Sequence, residues 1–314
     1  MKRNRLQNIV ATSSFTLPVA AVISTLLWLS SGCYDWMHLL GWLICAFNTY
    51  LWIEINNTNT LMRIRSLMTA TWYILFMGMA DFLHPMQTAL FVSCCILLSY
   101  QQLFKSYQMA NSVVPVFHAF LCIGLGSLCF PHLLFFVPFI LWYTNVYLRS
   151  LSLRSFCAAL IGVVLPYCFT ATFYLVTGDM GKFVAHFQIL AEFNRIDLAN
   201  YAAWGGERIA SLLLLGILAL IGSIRYMMTC LNDKIKTRML FYLILTQEFL
   251  LFIFILLYPQ YFDILYGLLI ANSAPILSHY FAFTTSRLSM IFFLLTLVAC
   301  FCLILMNLFG LWPV

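Results

Sequence analysis

The chain has 314 residues, of which 63% are hydrophobic and 8% charged, and its formal net charge is +6. A soluble domain carries about a quarter charged residues, so a water-soluble globular fold is excluded and lipid is the solvent that fits. The basic residues stand in ones and twos between apolar runs, without the basic stripe and interleaved aromatics of a nucleic-acid surface.

In lipid the backbone must satisfy its own hydrogen bonds, which leaves helices or a closed barrel. The apolar stretches do not alternate as barrel strands do; they run for about 17 to 22 residues, the length a helix needs to cross the hydrocarbon. The expectation is an all-α, polytopic transmembrane helical bundle of 10–11 spans, forming a single integral membrane domain over 1–314. Taken in order, the spans are expected near 15–32, 36–53, 67–83, 86–100, 113–129, 131–148, 156–176, 209–229, 239–257, 261–278 and 289–309. Lys2, Arg3 and Arg5 before the first run resemble the start of a signal peptide. In Leu29–Cys33 the leucine stands one place too early for a lipoprotein box, and further spans follow at once, so the first helix is expected to be retained. The segment 86–100 is short for a span. The segment 261–278 holds Asn272, Ser273 and Pro275, which reads as a broken or re-entrant helix.

Orientation follows from the positive-inside rule. With the N-terminus cytoplasmic, the inner loops gather Arg63, Arg65, Lys105, Arg149, Arg154, Arg225, Lys234, Lys236, Arg238 and Arg287, leaving Lys182, Arg195 and Arg208 outside. The acids fall the other way: Asp35, Asp81, Asp179, Glu192, Asp197, Glu207 and Asp263 map outside, whereas Glu54 and Asp233 map inside. Four histidines, His38, His84, His132 and His186, are outer and His279 is inner.

The long outer loop 177–208 is expected to hold an interfacial amphipathic helix, with Phe183, Val184, Phe187, Leu190 and Ala191 on one side and Gln188, Glu192 and Arg195 on the other. Such a segment suits a lid over an outward cavity or a plain connector. Asp81 and His84 share one outer turn and are candidates for proton transfer, because histidine titrates near neutrality. At membrane depth, His118, Glu248 and Asn272 need a reason to be there: ionisable groups in that setting face the bundle interior or a wet cavity. Glu248 lies near enough to Arg238 along one helix to snorkel toward the inner surface instead. Eleven cysteines include no CxxC pair and sit mostly in apolar runs, so no metal site is expected. There is no phosphate-binding glycine loop, dinucleotide fingerprint or HExxH, and no cofactor is implied.

The run Ile123-Gly124-Leu125-Gly126-Ser127-Leu128, followed by Phe130-Pro131, Phe136 to Pro138, the Arg149 to Arg154 turn and Leu160-Ile161-Gly162 to Pro166-Tyr167, resembles an uncharacterised family of multi-pass inner-membrane proteins from Bacteroidota. That resemblance implies a bacterial inner membrane and supplies neither activity nor site residues. In architecture, a cytoplasmic N-terminus, ten or so spans and a long outer loop between spans seven and eight are similar to membrane glycosyltransferases and polymerases that use polyprenyl-linked sugars. That similarity implies outer carboxylates acting on an acceptor hydroxyl, with Asp179, Glu192, Asp197, Asp81 and His84 as catalytic candidates. It also implies His186, Arg195, Glu207, Arg208 and Asp35 as ligands for a lipid diphosphate and its sugar. The first outer turn, around Asp35, is too short for families that place their acid in a long first loop. The expected partners are membrane lipids and a polyprenyl-linked substrate, with no nucleic acid. The rival expectations are a transporter or flippase and a non-catalytic scaffold.

Overall fold

A computed structural model describes residues 6–31, 36–64, 66–85, 87–109, 111–191, 201, 204–284 and 286–312. Thirteen α-helices and no strand occur among these residues, so the chain is an all-α helical membrane bundle. In order they are α1 (Leu6–Thr12), α2 (Thr16–Ser30), α3 (Trp36–Asn59), α4 (Met68–Met79), α5 (Gln87–Lys105), α6 (Val113–Cys129), α7 (Val137–Val146) and α8 (Leu153–Thr177). There follow α9 (Met180–Ala191), α10 (Gly206–Thr229), α11 (Ile235–Leu257), α12 (Phe262–Phe283) and α13 (Arg287–Leu308). Short 3-10 turns at Asp81–Leu83, Pro131–Phe136, Cys230–Asn232 and Pro259–Tyr261 lead into or out of them.

Each of the eleven expected spans contains a helix, and among the described residues six helices, α5, α8, α10, α11, α12 and α13, are long and apolar enough to cross a membrane. Shorter apolar helices occupy Thr16–Ser30, Met68–Met79, Val113–Cys129 and Pro131–Val146. α3 has the length but carries Glu54 and the asparagines 48, 56, 57 and 59. The segment around 86–100 is longer than its apolar run indicates, because Gln101, Gln102 and Lys105 extend α5. The break expected at 261–278 is absent: α12 runs unbroken through Pro275. One missing N–H is tolerated inside a membrane helix, and Asn272 and Ser273 turn inward to a partner instead of opening the backbone.

The chain forms two compact units, Met1–Leu90 with Asp197–Val314, and Phe91–Ile196, the boundary falling within α5. In the first unit α12 is the central helix, packed by α4, α10 and α11 and buried along almost its whole length. α13 packs against α4 and α10, with an apolar outward face formed by Leu295, Val298 and Phe301.

In the second unit the main packing is α6 on α8. A Cβ on Gly124 would lie 2.8 Å from the Val163 carbonyl oxygen, and one on Gly162 would lie 2.7 Å from that of Phe117. The two helices therefore approach backbone to backbone, the close packing that small residues permit where lipid supplies no hydrophobic drive. α8 begins on a capping box of Ser152 and Ser155 and ends at Gly178, whose φ of 78° suits glycine.

Candidate functional site

The sequence of α11 is apolar for most of its length, yet Glu248 sits at its centre with 3% of its surface exposed. Burial of this kind costs several kcal/mol unless the carboxyl is held by hydrogen bonds. Asn272 Nδ2 donates to Glu248 Oε2 at 2.7 Å and to the Ile244 carbonyl at 2.6 Å. Ser273 Oγ lies 2.5 Å from Glu248 Oε1 and 2.8 Å from the Leu269 carbonyl. The serine has one proton and two acceptors in reach. With Glu248 ionised, Ser273 donates to the carboxylate. With Glu248 protonated, the carboxyl donates to Ser273, which then donates to Leu269. The site thus has a complete hydrogen-bond pattern for both protonation states, and no cation pairs with Glu248 among the described residues. Glu248 does not snorkel toward Arg238; it faces the bundle interior. Gln247, also buried, leaves its Nε2 without a partner among the described residues.

Seven residues along α12, His279 marks a second cluster near the helix end. Its Nε2 is 3.0 Å from Asp233 Oδ2, while Arg63 Nε donates to Asp233 Oδ1 at 2.5 Å. The Asp233 side chain is wholly buried, and Tyr226, Phe241 and Phe283 surround the imidazole at ring distances of 4.8, 5.3 and 4.7 Å. The Arg63 guanidinium stacks over Phe283 at 4.9 Å. The Arg63 loop is fixed by Asn56, which donates to the Ser66 carbonyl and accepts from Met62 N. Burial pushes the Asp233 carboxyl up, but the hydrogen bonds from His279 and Arg63 outweigh it, and the group is held below the usual carboxylate range. This cluster was not among the expected sites. The signal was present: Arg63, Asp233 and His279 all map to the inner loops, and Asp233 is one of only two acids placed there.

At the opposite end of α12, Arg208 Nε and Nη2 donate to Asp263 at 2.9 and 3.2 Å, and Nη1 to Glu207 at 3.3 Å. The guanidinium lies 5.2 Å from the Phe82 ring. Beside Phe82, Asp81 Oδ1 is 3.1 Å from His84 Nδ1, and Ser31 Oγ is 2.7 Å from the same nitrogen. His84 is wholly buried, stacks on Trp28 at 4.0 Å, and leaves Nε2 unpartnered among the described residues. The expected pair of Asp81 and His84 is therefore brought together, and so are Glu207 and Arg208.

The other expected residues do not join these clusters. Asp179 is exposed and bonded to Lys182 at 2.7 Å. α9 forms where an amphipathic helix was expected, but its inward side is Phe183, His186, Ile189 and Leu190, and Val184 is half exposed. His186 lies against Tyr167 of α8, whose hydroxyl donates to Ser127; burial pushes the imidazole down, partly offset by a hydrogen bond to the Ser127 backbone. His118, expected to face the bundle interior or a wet cavity, is exposed on α6. Asp35, Glu192, Arg195 and Asp197 lie outside the described residues. Comparison of the chain with models of protein families, with curated proteins and with solved structures finds no match.

Proposed function

We propose that the protein is a multi-pass membrane carrier, a transporter or flippase, in which Glu248 takes up and releases a coupling proton. The observation that carries the reading is the buried Glu248–Asn272–Ser273 site, which is satisfied with and without a proton on the carboxyl. Intramembrane ionisable groups of this kind mark ion and substrate paths. The geometry of α12 supports it further. At 1.5 Å per residue, Asn272 lies about 13 Å along the axis from Asp263 and about 10 Å from His279. A helix crossing roughly 30 Å of hydrocarbon then carries polar clusters toward both boundaries and one near mid-depth. With the N-terminus cytoplasmic, the Arg63–Asp233–His279 end faces the cytoplasm of a bacterial inner membrane, and the Arg208–Asp263 end faces outward. The test is proton movement into proteoliposomes, followed with an internal pH dye while gradients of phosphates and carboxylates are imposed. Wild type is expected to couple at least one anion gradient to proton flux and Glu248→Gln to abolish the coupling. No coupled flux with any of these anions, or equal flux in Glu248→Gln, contradicts the reading.

A second reading rests on the Asp81–His84–Ser31 cluster. A carboxylate orienting a buried imidazole is the arrangement of a general base, and it suits a glycosyltransferase- or polymerase-like enzyme acting on a polyprenyl-linked or envelope glycan intermediate at the outer face. Under that reading Asp81→Asn stops glycan transfer while expression stays normal, and Glu248→Gln does not. Tolerance of both substitutions points to the scaffold role.

A further inference from the structure

Beside the Arg63 loop the first unit has a cavity of about 790 Å³. Its wall includes Arg63, Lys234, Asn57, Thr60, Asn232 and Thr237, and no Asp or Glu lines it among the described residues. Asp233, between the lining residues Asn232 and Lys234, has a wholly buried side chain that accepts from Arg63 Nε and is not part of the wall. Arg63 uses Nε on Asp233, so both of its Nη groups remain without a hydrogen bond among the described residues. Thr237 is more than nine-tenths buried on the cavity floor, and its hydroxyl is likewise unpartnered. The first turn of α11 opens at the same wall: Lys234 caps the helix, and the first N–H groups of Ile235, Lys236 and Thr237 have no partner within it.

We infer that this cavity binds a phosphate group, carried by a small organic phosphate or by a lipid headgroup. The donors decide the chemistry. A guanidinium edge, an ammonium, two side-chain amides, a threonine hydroxyl and a helix N-terminus offer more hydrogen bonds than the two oxygens of a carboxylate can accept. A phosphate presents three acceptor oxygens and close to two charges, and arginine forks and helix N-termini both favour it. The volume lies within the range of small-molecule pockets, roughly 300–1,000 Å³. The inference extends the carrier reading by naming the chemistry of its ligand, but binding is measured without transport.

The experiment is isothermal titration of inorganic pyrophosphate into the full-length protein in maltoside micelles, which contain no phosphate. Saturable binding is expected, weakened by about tenfold or more in Lys234→Ala, which removes an ammonium, and in Arg63→Lys, which removes the Nη donors, and unchanged in Lys182→Ala. Arg63→Lys keeps a cation beside Asp233, so loss of folding does not confound the result; thermal melting of each variant checks this. Short-chain phosphatidic acid is then added as competitor. Displacement of pyrophosphate assigns the site to a lipid headgroup, and its absence to a soluble phosphate. No saturable binding by wild type, or binding undiminished in the Lys234→Ala, Arg63→Lys double variant, overturns the inference. A protein that binds pyrophosphate but shows no Glu248-dependent flux keeps this site and loses the carrier reading. Glu248-dependent flux in a protein that shows no saturable pyrophosphate binding does the reverse.

Discussion

Replacing Gly162 by alanine tests the packing of the second unit. The new Cβ would lie 2.7 Å from the Phe117 carbonyl oxygen, 3.0 Å from Leu121 N and 3.3 Å from the Phe120 carbonyl carbon. All three are backbone atoms of α6, so no flexible side chain can swing away. Restoring an ordinary contact of 3.4 Å requires α8 to withdraw by about 0.7 Å, the difference between the two distances. Interior packing has no slack to absorb such a shift, and overpacking of this size costs about 1–3 kcal/mol. The comparison is Gly181→Ala on α9, in the same unit, where a Cβ meets nothing within 4 Å. Alanine favours a helix over glycine by up to ~1 kcal/mol, a gain both variants share to a first approximation. The difference between them therefore isolates the clash. Equilibrium unfolding of the full chain in mixed micelles, with rising denaturing detergent and helix content as the signal, measures it. Gly162→Ala is expected to unfold earlier than Gly181→Ala by about 1–3 kcal/mol. Equal stability of the two variants would falsify the backbone-contact account of α6 and α8.

The Asp233 cluster carries a pH signature. Its carboxyl is held below the usual range in the folded state, so its stabilisation is present above the unfolded carboxyl's value and is lost as pH falls through the folded one. Wild type is expected to lose melting temperature below the ordinary carboxylate range, and Asp233→Asn to be flatter there but less stable at neutrality; parallel curves from the two proteins refute this. Asn272→Leu removes both hydrogen bonds from Nδ2 and leaves Glu248 Oε2 unsatisfied in the core, a cost of about 1–3 kcal/mol. Thermal melting checks it, and a variant as stable as wild type would count against the arrangement.

Much of the fold was legible in the sequence because run length and apolar content decide where a membrane helix lies. Every expected span contains a helix, and Gly124 and Gly162 stand where α6 and α8 meet backbone to backbone. Their partner could not be read, since packing between helices leaves no periodic signal in either one alone. Pro275 misled for a physical reason: proline with two polar neighbours is the pattern of a broken helix, and only the presence of Glu248 across the interface gives those polar groups a use inside an intact one. The Arg63–Asp233 pair joins positions 170 residues apart, and His279 comes from a third element. Loop charges placed all three on one side but could not show that one asparagine, Asn56, fixes the loop that aims the arginine. His118 misled in the opposite sense, because depth in a span does not tell which face of the helix a residue occupies.

The central claim is that Glu248 exchanges a proton inside the bundle, and infrared difference spectroscopy across a pH step on the full-length protein in lipid tests it most directly. The account predicts a carboxylic C=O band that changes with pH, vanishes in Glu248→Gln and shifts in Ser273→Ala, where the hydrogen-bond partner is gone. A difference spectrum unaltered by Glu248→Gln would contradict it.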